Sequence, residues 1–479
     1  MAKKDYNLIV IGAGSAGLVS AYIASVLNAK VALIEKHKMG GDCLNTGCVP
    51  SKALIRTGKI LSYIKRSRDF GLKSAQVDFE FPDVMERVQN VIQKVEPHDS
   101  IERYTKLGVD CYTGSAKILS PHEVQVNGRT LTTKNIIIAT GARPAVPPIP
   151  GLDQVNYLTT DTLWNLRELP KKLVVAGGGP IGCELAQCFV RLGSEVTVVE
   201  MLPDLLIRED EEASRTVRQQ FIAEGIDVRV NSRCKEVVVK DGKQYMLVEK
   251  DDSTDWVEFD QVLIAVGRAA NARGFGLEEI GVQLGPRGTV EVDQYLRTTT
   301  HKNIYACGDV AGPFQFTHTA AHQAWYCAVN ALFSPFKKFK VDYSVIPWCT
   351  FTDPEVARVG LNEKDAKEQG IPYEVVTYGI DDLDRAIADS EDKGYVKVLT
   401  VPGKDKILGV TIVGYHAGDL IAEYVLAMKH GLGLNQILGT IHIYPTMAEA
   451  NKYAAGLWKK AHAPTGLLNF VRKFHTWRR

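Results

Sequence analysis

The 479 residues predict an α/β protein with two strand–turn–helix–strand units of one kind, followed by a section that mixes strands with helices. Three observations support this. A glycine triplet between apolar runs occurs twice. The two occurrences are offset by 165 residues at every shared position. The last part of the chain alternates strand patterns such as "YVKVLTV" and "KILGVTIVG" with helical ones such as "GDLIAEYVLAMKHG".

The first unit reads "YNLIVIGAGSAGLVSAYIASVLNAKVALIEK". Gly12, Gly14 and Gly17 form G-x-G-x-x-G, and Glu35 closes the next strand 18 residues after the last glycine. The second reads "KLVVAGGGPIGCELAQCFVRLGSEVTVVEM", with Gly177, Gly179, Gly182 and, again 18 residues on, Glu200. A common offset means a duplicated structural unit. In each copy the first glycine makes a tight turn, the second lets the backbone approach a pyrophosphate, and the third lets helix and strand pack closely. The phosphates lie at the positive helix N-terminus, and the terminal glutamate accepts from ribose hydroxyls. Two such Rossmann-like units predict two bound dinucleotides. Glu200 suits a free 2′-hydroxyl and repels a 2′-phosphate, which favours NADH over NADPH; Arg208 is the nearest cation that could oppose this.

Composition is that of an ordinary globular chain, 45% apolar and 24% charged. A formal net charge of +1 provides no basic field for a nucleic-acid partner. The apolar run before the first glycines is too short for a signal-peptide core or a membrane span, so a cytoplasmic location is expected.

Nine cysteines are present. Cys183 and Cys188 fall within a helical pattern, where buried, inert thiols are expected. Cys43 and Cys48 lie in the glycine-flanked stretch "GGDCLNTGCVPSK". A zinc site needs a second short-spaced pair of ligands, and none exists, so no metal site is expected. Within one regular helix the two Cα atoms would be about 8.6 Å apart, beyond the ~7 Å limit for a disulfide. Cys43 therefore precedes the regular helix or the first turn is distorted, with Gly40, Gly41 and Gly47 supplying backbone freedom. Lys52, four residues after Cys48, projects from the same helical face and favours a thiolate. The pair reads as a redox couple beside a dinucleotide in preference to a structural staple.

These residues resemble the flavin-dependent pyridine nucleotide–disulfide oxidoreductases, the family of dihydrolipoamide dehydrogenase, glutathione reductase and mercuric reductase. The resemblance covers nearly the whole chain: both triplets, the cysteine motif, "IIIATGARP" (136–144), "VLIAVGRAAN" (262–271), "NIYACGDV" (303–310) and "VIPWCTFTDPEVARVGL" (345–361). It implies FAD at the first triplet and NAD(P)H at the second, with Gly141, Gly267 and Asp309 among the cofactor-binding positions. It also implies that Cys48 is the flavin-proximal sulfur, that Cys43 meets the acceptor, and that Lys52 sits near the flavin paired with Glu184. Electrons then pass from NADH through FAD to a Cys43–Cys48 disulfide and on to a small-molecule acceptor. The expected layout is an FAD domain at 1–149 and 275–345, an NAD(P)H domain at 150–274 and a dimerisation domain at 346–479. The end of that last domain completes the partner subunit's site in a homodimer.

One position departs from the family pattern. In "IHIYPTMAEANKYAAGLWKKAH", Tyr444 stands where disulfide-reducing members carry histidine, while Glu449 keeps the place of the usual glutamate. Imidazole, with a pKa of ~6.5, suits proton transfer to a dithiol; a phenol, at ~10, is a poor base at neutral pH. His442, two residues earlier, is a possible substitute or a structural histidine. Mercuric reductases resemble this chain in carrying tyrosine there, although no cysteine follows Cys349 to deliver the metal. The expected function is a mercuric reductase-like flavoenzyme with an open acceptor. The alternatives are a dihydrolipoamide dehydrogenase and an NADH-sensing protein without turnover. The tail "TGLLNFVRKFHTWRR" places Leu467, Phe470, Val471, Phe474 and Trp477 at helical spacing among Arg472, Lys473, Arg478 and Arg479. Packing on the protein's own dimer is the expectation, with weak contact to an anionic membrane surface as the alternative.

Overall fold

The computed structural model describes residues 3–479, which gather into two compact units. The first holds residues up to 61, 77–199 and 232–342; the second holds 62–76, 200–231 and 343–479.

In the first unit, strand β1 (Tyr6–Ile11), helix α1 (Ser15–Val26) and strand β2 (Val31–Glu35) form the first predicted strand–turn–helix–strand unit. β1 pairs in parallel with β2 on one side and with Arg129–Ile138 on the other; the latter also pairs with Ile304–Ala306. Val10 lies opposite Leu33 and Ile137. Residues 8–11 and 31–34 are buried on both faces, and so read as unbroken apolar runs. The second copy builds a separate sheet in which Lys172–Ala176 pairs in parallel with Glu195–Val199 and Gln261–Ile264. Two hairpins join this framework. Asn127–Gly128 and Asp241–Gly242 have positive φ at both central positions, the backbone of a tight hairpin turn. The second turn opens an antiparallel sheet of Arg233–Lys240, Lys243–Lys250 and Ser253–Phe259.

The second unit is built on a five-stranded antiparallel sheet in the order Pro347–Thr350, Glu355–Gly360, Ile407–Gly414, Tyr395–Thr400, Glu374–Gly379. Ala357, Val359, Val396, Val398, Val410 and Ile412 pack with Leu420 and Tyr424 of helix Ala417–Lys429, and with Ala454 and Trp458 of helix Glu449–Ala461. Side chains alternate across a strand, so Arg358, Thr411 and Lys397, which lie opposite one another in register, point the other way. That face is buried too, and it is ionic. Arg358 Nε lies 3.4 Å from Glu209 Oε2, and its Nη1 lies 3.1 Å from Asp365 Oδ2. Trp348 donates from Nε1 to Glu209 Oε1 at 2.8 Å, and the guanidinium stacks 4.3 Å from the Trp348 ring centroid. Lys397 Nζ is 2.7 Å from Glu212, 3.2 Å from Glu363 and 3.6 Å from Asp210. Burial pushes the Glu209 pKa up and Arg358 opposes it.

A buried charge stripped of its partner is far more costly than the intact pair is beneficial. Arg358→Met is therefore expected to destabilise the protein by about 3–5 kcal/mol, read as an earlier midpoint in chemical denaturation. The double variant Arg358→Met/Glu209→Gln should recover most of the loss. A single variant indistinguishable from the parent would show that the cluster is held mainly by solvent.

Candidate active site

The two thiols meet because the helix carrying them is interrupted. Cys43 lies in the short helix α2 (Gly41–Asn45), and Cys48 begins helix α3 (Cys48–Lys65). Gly40 and Gly41 both have positive φ, which turns the chain into α2. Gly47 allows the break between the helices: a Cβ there would lie 2.9 Å from Asp42 O. Trp164 Nε1 donates to Thr46 O at 2.9 Å, and Asn45 Nδ2 donates to Met39 O and Gly41 O, each at 2.9 Å. These bonds hold the interruption open.

Cys43 and Cys48 are free thiols here. Their environments drive the two proton affinities apart. Cys43 donates to Cys48, and that bond is the largest cause that brings the Cys48 pKa down to about 6. Burial opposes the shift, while a hydrogen bond from Thr317 and the Lys52 charge add to it. Thr317 Oγ1 lies 3.5 Å from Cys48 Sγ. The same hydrogen bond, with burial, drives the Cys43 pKa far upward. One sulfur is therefore a thiolate at neutral pH and its neighbour keeps its proton. Lys52 Nζ forms an ion pair with Glu184 Oε2 at 2.8 Å, with the carboxylate side chain buried.

The cysteine loop lies directly on the first glycine fingerprint. Gly40 N–H donates to Ala13 O at 2.9 Å, and a Cβ on Gly41 would come within 2.6 Å of Gly14 Cα. In both copies the third glycine packs on the first: a Cβ on Gly17 would fall 1.8 Å from Gly12 O, and one on Gly182 would fall 2.0 Å from Gly177 O. A Cβ on the second glycine would meet open space at Gly179, and only Gly41 Cα, at 3.7 Å, at Gly14. That is the clearance a pyrophosphate requires. Glu35 accepts from Ala13 N at 2.7 Å and His37 N at 2.8 Å, bracing the loop with lone pairs still available to ribose hydroxyls. Glu200 directly follows Glu195–Val199 and accepts from Leu202 N at 2.7 Å. Asp309 is a largely buried carboxylate whose pKa is raised by that burial, with Arg268 Nε 3.4 Å away. Arg268 also pairs with Asp42, beside Cys43 in the chain. Gly141 and Gly267 sit at either end of a short antiparallel pairing of Ala142–Pro144 with Arg268–Ala270, both with positive φ. The residues present fit both cofactors.

Sequence reasoning missed Thr317 and Arg268. Arg268 lies within "VLIAVGRAAN", directly after Gly267, and a cation inside a motif already singled out was a usable signal. Thr317 has none, because only the fold brings it to a cysteine 269 positions away.

In the second unit, Tyr444 is 65% exposed and donates from its phenol to Asp384 Oδ2 at 2.9 Å. That bond raises its pKa further, so the phenol holds its proton. Glu449 is buried at the start of helix Glu449–Ala461. It accepts from Thr446 N at 3.3 Å and from the Tyr453 hydroxyl at 3.4 Å. His442 does not share the exposure of Tyr444. Its ring lies between Glu423 Oε1, 2.9 Å from Nε2, and Thr440 O, 3.0 Å from Nδ1. Both ring nitrogens are engaged within its own unit, which is the structural role. Cys183 and Cys188 are buried.

Alkylation of reduced protein by iodoacetamide, located by mass spectrometry, is expected to modify Cys48 with a half-maximal rate near pH 6, about 2 units or more below an ordinary thiol. Removing a group that lowers the pKa moves the midpoint up, so Lys52→Met raises it and Cys43→Ala raises it more. A midpoint near that of free cysteine in the parent protein would overturn the assignment of the thiolate.

The model of the pyridine nucleotide–disulphide oxidoreductases matches residues 6–324, and that family's dimerisation domain matches residues 346–455. Mercuric reductase of Staphylococcus aureus is 35% identical over 451 residues, covering 94% of this chain and 82% of that one. Dihydrolipoyl dehydrogenase of Chlamydia pneumoniae is 36% identical over 451 residues, covering 93% and 95%. Among solved structures, the HOCl-induced flavoprotein disulfide reductase RclA from Escherichia coli superposes with a TM-score of 0.84 at 28% identity, covering 94% of this chain and all of that one. A Cu(II) complex of RclA gives 0.83 at 27%, covering 93% and 98%. The doubled fingerprint, the paired thiols and these matches lead to one conclusion: the chain belongs to the class I pyridine nucleotide–disulfide oxidoreductases, flavoenzymes that use FAD and NAD(P)H.

Proposed function

We propose that this protein is an NADH-dependent reductase of thiophilic metal ions, with Cys43 and Cys48 as the groups that receive the ion. The observation that carries this reading is the loop at Tyr444. An organic disulfide leaves as thiolates that need protons, which is work for an imidazole. Here the phenol keeps its proton on Asp384, and His442 is bound by Glu423 and Thr440. A metal ion makes no such demand. It binds thiolate and displaces the proton of a coordinating thiol outright. Cys48 is already anionic, and Cys43 gives up its proton on binding the ion.

FAD supplies the two-electron link between nicotinamide and the thiol pair. Lys52 and Glu184 fix a charge pair next to that pair, and Asp309 with Arg268 anchors the cofactor. Two electrons from NADH reduce one mercuric ion to the metal, or two cupric ions to cuprous, with release of NAD+ and one proton. Glu200 supports NADH over NADPH. We further infer a homodimer in which the loop at Tyr444 faces the partner subunit's site, within a layout of FAD domain (1–149, 275–345), NADH domain (150–274) and interface domain (346–479). Similarity to mercuric reductases and to an RclA crystallised with Cu(II) supports the acceptor class.

The test is NADH oxidation by purified, FAD-loaded protein with mercuric or cupric ion, run beside lipoamide. Metal-dependent turnover that is lost in Cys43→Ser and Cys48→Ser is expected, with slow lipoamide reduction. Tyr444→His is expected to raise lipoamide reduction by about a hundredfold, the lower end of what a positioned acid–base group supplies. Brisk lipoamide turnover by the parent protein would make it a dihydrolipoamide dehydrogenase instead. Flavin reduction by NADH with no acceptor turned over would favour the sensing role.

A further inference from the structure

The last helix, Thr465–Arg478, has no buried residue. Leu467 is 58% exposed, Phe470 67%, Phe474 42% and Trp477 79%. At 3.6 residues per turn these four and Val471 share one side of the helix. Lys473 lies along one edge of that apolar arc and Arg472 beyond the other, while Arg478 falls within it at the last turn. The Arg478 guanidinium stacks 5.6 Å from the Phe474 ring centroid, and Phe474 and Trp477 have centroids 6.2 Å apart. The match to the family's dimerisation domain ends at residue 455, before this helix begins.

Charge is segregated along the chain. Of 57 Lys and Arg against 56 Asp and Glu, seven cations and no acid follow Glu449, leaving 50 cations against 56 acids in the rest. The body is acidic and the tail is basic. Packing this helix on its own copy across a two-fold axis sets the patch against itself and brings like charges together. A nucleic-acid backbone would engage the cations and leave five large apolar side chains in water. An apolar arc edged by cations, with aromatics toward one end, matches the boundary between acyl chains and anionic headgroups. Fourteen residues span about 21 Å, too short and too charged to cross a bilayer. Among the described residues no helix is long and apolar enough to do so.

We propose that helix Thr465–Arg478 lies in the surface plane of an anionic lipid bilayer and holds the enzyme there, independently of which acceptor it reduces. The full-length, FAD-loaded protein is sedimented with vesicles of phosphatidylcholine alone and of phosphatidylcholine mixed with phosphatidylglycerol. Binding to the mixed vesicles is expected to be at least about tenfold tighter and to weaken strongly in ~0.5 M salt. Arg472→Glu/Lys473→Glu and, separately, Phe470→Ser/Trp477→Ser should each abolish it while the rate of flavin reduction by NADH is unchanged. These residues are exposed, so folding is retained, and the flavin rate verifies this. No preference for the anionic vesicles, or binding that survives both variants, would overturn the proposal. So would a change of oligomeric state by sedimentation velocity on deleting 465–479, which would assign the helix to a second copy of the chain.

Discussion

Everything chemical in this molecule depends on one break in a helix. Two sulfurs five positions apart cannot meet along a regular helix, and the interruption at Thr46–Gly47 brings them together. The donor bond between them then makes them unlike, a thiolate and a thiol. The same loop rests through Gly41 on Gly14, so a contact between two glycine backbones sets how far the thiols stand from the dinucleotide cradle. A Cβ at Gly41 would push the two apart.

The loop at Tyr444 keeps its hydrogen bonds although the histidine expected from the family pattern is absent. Where an imidazole and a glutamate are expected to orient one another, each group present has found another partner. The phenol donates to Asp384, Glu449 braces the start of its own helix, and His442 is held by Glu423. Nothing in this loop needs the missing histidine to satisfy its hydrogen bonds.

The parts legible in the sequence were those set by main-chain sterics. Both glycine triplets could be read because a Cβ at Gly17 or Gly182 collides with a carbonyl oxygen, whatever surrounds it. The cysteine pair and Lys52 could be read for a similar reason, since their relation is local in the chain. The hairpins at Asn127–Gly128 and Asp241–Gly242 carry an equally local signal, the Asn-Gly and Asp-Gly turn pairs. Contacts of long sequence separation were not legible from the residues themselves, and the Lys52–Glu184 pair was expected only through the family resemblance. Thr317 reaches Cys48, and Asp384 reaches Tyr444, only through the fold. The ionic face of the second unit is the clearest case: Arg358 between Ala357 and Val359, and Lys397 between Val396 and Val398, read as the wet side of alternating strands. They are covered instead by Glu209, Asp210 and their neighbours.

The unequal proton affinities of the two sulfurs also decide the direction of exchange. Thiolates of lower pKa leave faster from a disulfide, and Cys48 is much the more acidic of the pair. With the two joined, the hydrogen bond between them is gone, and Thr317 and Lys52 are the groups that still favour Cys48 as the leaving thiolate. That bias is a polarity within the pair, set by the groups around Cys48 and not by depth, since Cys48 is the more exposed of the two.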